Sequence, residues 1–193
     1  DGEQGAAVRK AMELLVAVGE CFDAQDMIPV SSVHLVSATP TTAGKAGVKF
    51  ILGMKEMGGR FVVPVTTNPN CVEPYEWLRM DFPKDLRDAS RELSQSLAEM
   101  GAFSTQTCTP YLIGHAPTYL QHLAWGESSA IVYTNSRIGS RTNREGGPTA
   151  LASAITGLTP KYGLHLPENR RPTLKIIIDM VLKDEYEYAL AGY

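Results

Sequence analysis

The chain alternates between stretches in which apolar residues recur every three to four positions and short runs that are apolar throughout. From Glu3 to Cys21, Val8, Ala11, Leu15 and Val18 fall on one side of a helical projection, which predicts an amphipathic helix. "IPVSSVHLV" (28–36) then reads as a strand, and "AGKAGVKFILGMKEM" (43–57) as a helix closed by Gly58-Gly59. "RFVVPVTT" (60–67) predicts the next strand. The run 83–100 sets Leu86, Ala89, Leu93 and Leu97 on one face of a further helix. "TQTCTPYLIG" (105–114) and "SSAIVYTN" (128–135) read as strands, 148–156 as a helix, and "TLKIIIDMVL" (173–182) as a strand buried on both faces, with another helix beginning at "DEYEYALAG".

Strands alternating with helices imply βαβ units. The expected fold is therefore a single α/β domain over residues 1–193, with a largely parallel sheet covered by helices on both faces. Hydrophobic residues at 44% and charged residues at 20% agree with an ordinary globular chain. No apolar run approaches the roughly 18 residues that span a bilayer, and the first twenty positions lack a signal-peptide pattern, so no membrane association and a cytoplasmic location are expected. A net charge of −3 supplies no global basic field, so nucleic acid is not an expected partner.

Cys21, Cys71 and Cys108 are odd in number and widely spaced, which favours reduced thiols and leaves a metal or cluster ligand open. No pair of Cys or His residues has the spacing of a complete zinc site. In parallel sheets, ligands collect outside the carboxyl ends of the strands. Four predicted exits bring polar groups there: Ser37, Ala38 and Thr39; Asn68 and Pro69 with Cys71 just beyond; Cys108; and Asn135 with Ser136. The last leads into "RIGSRTNREGGP", which carries Arg137, Arg141 and Arg144 and closes on Gly146-Gly147-Pro148, a helix start with free backbone N–H groups. Guanidinium forks and fixed donors suit a carboxylate or phosphate, which points to a small anionic ligand. Surface ion pairing, with Glu145 as the partner, is the competing reading. Glu127, ahead of a predicted buried strand, is the carboxylate expected to have a raised pKa. His34 lies in a strand pattern and His115, His122 and His165 in loops, where a structural histidine with one hydrogen bond is the commoner case. The glycine-rich stretch matches neither a Walker loop nor a dinucleotide fingerprint, so ATP and NAD are not expected.

"DGEQGAAVRKAMELL", "TCTPYLIG", "HLAWGESSAIVYTNSRIGSRTNREGGPTALASAITG" (122–157) and "YGLHLPENR" (162–170) together resemble the catalytic large subunit or domain of the aconitase X family. The resemblance runs along the whole chain. It implies an aconitase-like fold, of which this chain is the N-terminal α/β portion of a larger catalytic unit. It further implies a hydro-lyase acting on a small anionic hydroxy acid, of the phosphomevalonate type, with cis-3-hydroxy-L-proline as the alternative substrate. An iron–sulfur cluster or mononuclear iron held by cysteines is the implied cofactor, with Cys108 as a ligand and Cys71 without such backing. A small swivelling subunit or domain is the implied partner. Ser37, Ala38, Thr39, Asn68, Pro69, Asn135 and Ser136 carry over as substrate contacts; Arg141 and Arg144 are added from their charge. The general base is unassigned, with Ser136 and Glu127 as candidates. In isolation the chain is expected to be inactive, and a non-catalytic anion-binding or assembly module is the reading from a different class.

Overall fold

The structure is a computed structural model that describes residues 3–73 and 75–192; Asp1, Gly2, Pro74 and Tyr193, which include the ends of the expected 1–193 domain, lie outside the described residues. Helix α1 (Ala6–Cys21) buries Ala7, Ala11, Leu15 and Gly19; Ala11 and Leu15 are on the expected stripe, whereas Val8 and Val18 are half-buried at its border. The expected strand 28–36 divides in two at Val30–Ser32. Strand β1 (Met27–Pro29) pairs antiparallel with β5 (Leu158–Pro160), whereas β2 (Val33–Leu35) enters the main sheet. Helix α2 (Pro40–Glu56) begins at a Thr39 cap, with Pro40 in the first turn, and carries one non-helical residue at Gly44. Strand β3 is only Val65–Thr67, because Pro64 ahead of it has no N–H to give to a ladder. Helix α3 (Lys84–Met100) follows and ends on a left-handed Gly101.

Three sequence expectations fail in the next stretch. Residues 105–114 form no strand; they are loop followed by a 3₁₀ turn at Pro110–Ile113, with the proline in its first position. Residues 128–135 are helix α4 (Ser128–Tyr133) running into a π turn at Thr134–Ile138, and the strand slot beside β2 goes instead to β4 (Ala124–Trp125). An apolar run of four residues is too short to reveal its period. Helix α5 (Gly147–Thr156) forms where expected. Residues 173–182 have no regular structure and expose Leu174, Ile176, Ile177, Met180 and Val181, since no other described strand pairs with them. Helix α6 (Glu185–Gly192) buries none of its residues.

The main sheet has the order β3-β2-β4 and is parallel throughout. Residues 141–145 extend it, lying alongside β4 through Leu123 N–H to Arg141 O at 2.8 Å and Glu145 N–H to Trp125 O at 3.0 Å. Strand alternation divides the side chains between two faces. Val33, Leu35, Val65 and Ala124 meet α1, α2, α3 and α5 in the principal core. His34 and Trp125 point the other way. There Leu123, Trp125, Ala130 and Ile131 form a smaller cluster under α4, with Tyr111 of the 3₁₀ turn against it. The long helices thus gather on one face. The other face is left with a thin cover, and that cover contains buried histidines. No helix among the described residues is long and apolar enough to cross a membrane.

Candidate functional site

All three strands of the parallel sheet end at one rim, so the backbone that follows each is delivered to a common place. After β2 come Ser37, held at φ 56, then buried Ala38 and Thr39. A positive φ on a non-glycine residue is strained and persists where the surroundings enforce it. Here the enforcing element is the start of α5: a Cβ on Gly147 would stand 3.1 Å from both Ser37 Cβ and Val36 O. The Gly146-Gly147-Pro148 turn therefore does meet the β2 exit, and the first-turn N–H groups of α5 open at the rim.

After β3, the Asn68 backbone N–H donates to Leu35 O at 3.0 Å, and its side-chain Nδ2 donates to Glu127 Oε2 at 2.7 Å. Glu127 follows β4 by two residues, so two strand exits are joined directly. Cys108 arrives from the loop beyond α3, tied down by Thr107 N–H to Thr67 O at 3.1 Å, and sits against the Glu127 carboxylate. Burial, then the charge of Glu127 and its hydrogen bond, push the Cys108 thiol up. The expectation for Glu127 itself is corrected. Burial does raise its pKa, but donation from Asn68, Ser128 and the Ser129 N–H more than offsets it and leaves the carboxyl below its usual range. Cys71 lies near the same edge. Burial pushes its thiol up, and the hydroxyls of Ser90, Thr41 and Thr39 outweigh that and pull it down. Among the described residues no three His, Cys, Asp or Glu side chains converge as a metal site. Cys108 fits an iron centre as one member of a ligand set: a cation beside it would offset the Glu127 charge that now keeps the thiol protonated.

The remaining sequence candidates go elsewhere. Pro69 is exposed beside Asn68. Asn135 is committed within the fold: Nδ2 donates to the backbone at Ile131 O (3.0 Å) and Thr142 O (2.9 Å), and Oδ1 accepts from the Arg170 side chain at Nη1 (2.6 Å). Ser136 Oγ, in the π turn, donates back to Val132 O of α4 at 2.5 Å. Arg141 pairs in register with His122, four residues before Gly126, which puts it about 13 Å back from the rim. Its Nη1 donates to His165 O at 3.2 Å. Arg144 is exposed and makes no ion pair among the described residues. The competing reading of a bridge to Glu145 also fails, because Glu145 is buried and accepts from Thr159 Oγ1 at 3.3 Å. The basic loop is thus divided between two ends of the sheet.

Three groups went unassigned in the sequence and lie at the rim. Ser128, exposed at the start of α4, donates to Glu127 Oε1 at 3.3 Å. His34 and His115 flank Trp125, with ring centroids at 5.8 Å and 5.6 Å from it. His34 Nε2, His115 Nε2 and Asn68 Oδ1 are buried without hydrogen-bond partners among the described residues. Burial lowers the His34 pKa to about 4 and lowers that of His115. A histidine inside a strand pattern signals only burial, and that is why these rings could not be found from spacing.

Comparison with known proteins adds to this geometry. The family described as "Aconitase X first domain" matches residues 1–168. The chain is 41% identical to the phosphomevalonate dehydratase large subunit of Methanothermobacter thermautotrophicus over 193 residues, all of this chain and 48% of that one. It is 32% identical to the cis-3-hydroxy-L-proline dehydratase of Hypocrea jecorina, again over the whole chain but 32% of the relative. The crystal structure of Thermococcus kodakaraensis aconitase X in its holo-form superposes with a TM-score of 0.89 at 38% identity, covering 99% of this chain and 47% of that one. The chain spans about half the length of the large subunits it matches.

Proposed function

The chain belongs to the aconitase X family, and on that footing we propose that it is the N-terminal catalytic portion of a hydro-lyase that removes water from a small anionic hydroxy acid. The observation that supports this most is the junction of Asn68, Glu127 and Cys108 at the rim, beside the strained Ser37 and the open start of α5. Backbone N–H groups near Ser37 to Thr39 and at the first turn of α5 are suited to hold the anionic end of the substrate. Pro69 walls the β3 exit. Arg144 is placed to add charge from the surface, and Arg141, Asn135 and Ser136 would have to act from the flank.

Glu127, ionised and held by Asn68 and Ser128, is the general base within this chain, able to accept the proton beside the substrate carboxylate. Iron held by Cys108, with ligands supplied by the rest of the enzyme, would provide Lewis acidity to the departing hydroxyl. Phosphomevalonate is the favoured substrate, since relatives bearing that name match at higher identity than the hydroxyproline dehydratases. A small subunit closing over the rim is the proposed partner, and a cytoplasmic location goes with it.

The test is an assay of the full-length protein with its small subunit against phosphomevalonate and cis-3-hydroxy-L-proline. Dehydration of the phosphorylated acid, with iron lost in Cys108→Ala, is the expected result. Unchanged iron in that variant would remove Cys108 from the ligand set, and no turnover of either substrate would remove the function.

A further inference from the structure

We propose that His34 is a positioning residue: its neutral ring carries the proton on Nε2 and passes a one-way chain of hydrogen bonds from Thr66 through Asn68 to the Glu127 carboxylate. The inference deepens the reading of the rim as the substrate site and rests on it for its effect on turnover, though not for the hydrogen-bond chain itself.

Four residues, two on strands β2 and β3 and two just beyond β3 and β4, carry the argument. His34 Nδ1 lies 2.8 Å from Thr66 Oγ1, and both residues are buried, at 0% and 2% exposure. The contact alone does not say which atom donates. Counting satisfied groups decides it. Asn68 Nδ2 donates to Glu127 Oε2 at 2.7 Å, because a carboxylate only accepts; the other atom of the amide, Oδ1, is therefore an acceptor, buried and without a donor. His34 Nε2 is likewise buried and unpaired, and Asn68 is near enough to act on the ring as a hydrogen-bond partner.

If Nδ1 carried the proton, Nε2 would present a lone pair to the lone pairs of Asn68 Oδ1, and the Thr66 hydroxyl proton would have no acceptor. Three buried polar groups would then go unsatisfied. With the proton on Nε2, the Thr66 O–H donates to Nδ1, Nε2–H is available to Oδ1, and all three gain partners once the ring closes onto the amide. Every bond in the chain then donates toward Glu127, so each polarises the next. Fixing the Asn68 amide in one orientation is what fixes the carboxylate. A flipped amide would put Oδ1 against it and push it away from the rim. Sheet register sets this up: His34 pairs with Thr66 in β2–β3, and Asn68 leaves β3 two residues later on the same face.

The experiment reads the tautomer directly. In the full-length protein, labelled with nitrogen-15 at histidine, the His34 ring is expected as the neutral Nε2–H form, and Asn68→Leu, which removes the acceptor of that proton, is expected to bring in the Nδ1–H form. A wild-type ring found as Nδ1–H, or doubly protonated at neutral pH, overturns the proposal whether or not any activity is detected. For turnover, His34→Leu is expected to lower kcat/KM about tenfold, the scale of one lost hydrogen bond, while His34→Gln, whose amide places an N–H near the position of Nε2, returns most of it. Equal loss in both variants, or none in His34→Leu, overturns the proposal. If His34→Leu fails to fold, the wild-type tautomer and Asn68→Leu still decide the matter. A protein with the Nε2–H ring and no dehydratase activity would bring down the proposed function and leave the relay standing.

Discussion

His165 offers the sharpest test of the fold's electrostatics, because it lies far from the rim and its cost can be worked out. The ring is completely buried, its Nδ1 is 2.9 Å from His122 Nδ1, and its Nε2 has no partner among the described residues. Burial, followed by the charges of His122, Arg141 and Arg170, lowers its pKa from 6.5 to about 3. The sign follows from linkage. Between those values the unfolded chain holds a proton that the folded chain refuses, so stability is complete above pH 6.5 and drains away as pH falls toward 3. One such proton is worth about 1.4 kcal/mol per pH unit, which amounts to about 2 kcal/mol between pH 7 and pH 5. His34, lowered to about 4, acts in the same direction, whereas buried Glu145, whose pKa is raised, acts in the opposite one. Comparison with a single variant removes those common terms. His165→Leu keeps the volume and discards the proton. It is expected to cost about 1 kcal/mol at pH 7 through the lost bond to His122, and to flatten the slope of unfolding free energy against pH by about 1.4 kcal/mol per unit between pH 6 and 4.5. Urea unfolding at a series of pH values measures both. A slope equal to that of the parent chain would refute the reasoning, because it would mean the folded state accepts the proton after all.

Gly147→Ala drives a methyl against Ser37 and the Val36 carbonyl, so it is expected to destabilise by about 1–3 kcal/mol and to weaken anion binding at the rim; thermal melts with and without inorganic phosphate read both. Removing residues 173–192 takes away side chains that are mostly exposed, so the melting temperature of the chain should move by no more than about 2 °C while its tendency to aggregate falls. Leu15→Ala, at a fully buried position of the principal core, should cost about 2–5 kcal/mol by denaturant unfolding; a loss below 1 kcal/mol would contradict the assignment of α1 to that core.

Helical spacing at Ala11 and Leu15, and at Leu93 and Leu97, was legible because a stripe of that length admits one period only. The parallel sheet followed from the alternation of elements, and its exits at Ser37 and Asn68 from the rule that loops collect there. Short apolar runs were another matter. "SSAIVYTN" is a helix and "TLKIIIDMVL" lies exposed, since four to ten apolar residues state a wish to be buried without naming the partner that grants it. Charge was similarly ambiguous. Arg141 and Arg144 are three residues apart in the chain, yet the ladder to β4 carries one of them back along the sheet and leaves the other near the rim. The sign of the Glu127 shift was beyond local reading too: burial alone raises it, and the Asn68 amide that reverses it arrives from a different strand, fifty-nine residues away. The sequence by itself determined the family, the element types of the long helices and the edge where the strand exits collect, all of which depend on neighbours along the chain. Only the tertiary structure decided which side chains share that edge and in which protonation state, because hydrogen-bond partners and desolvation are set by neighbours in space.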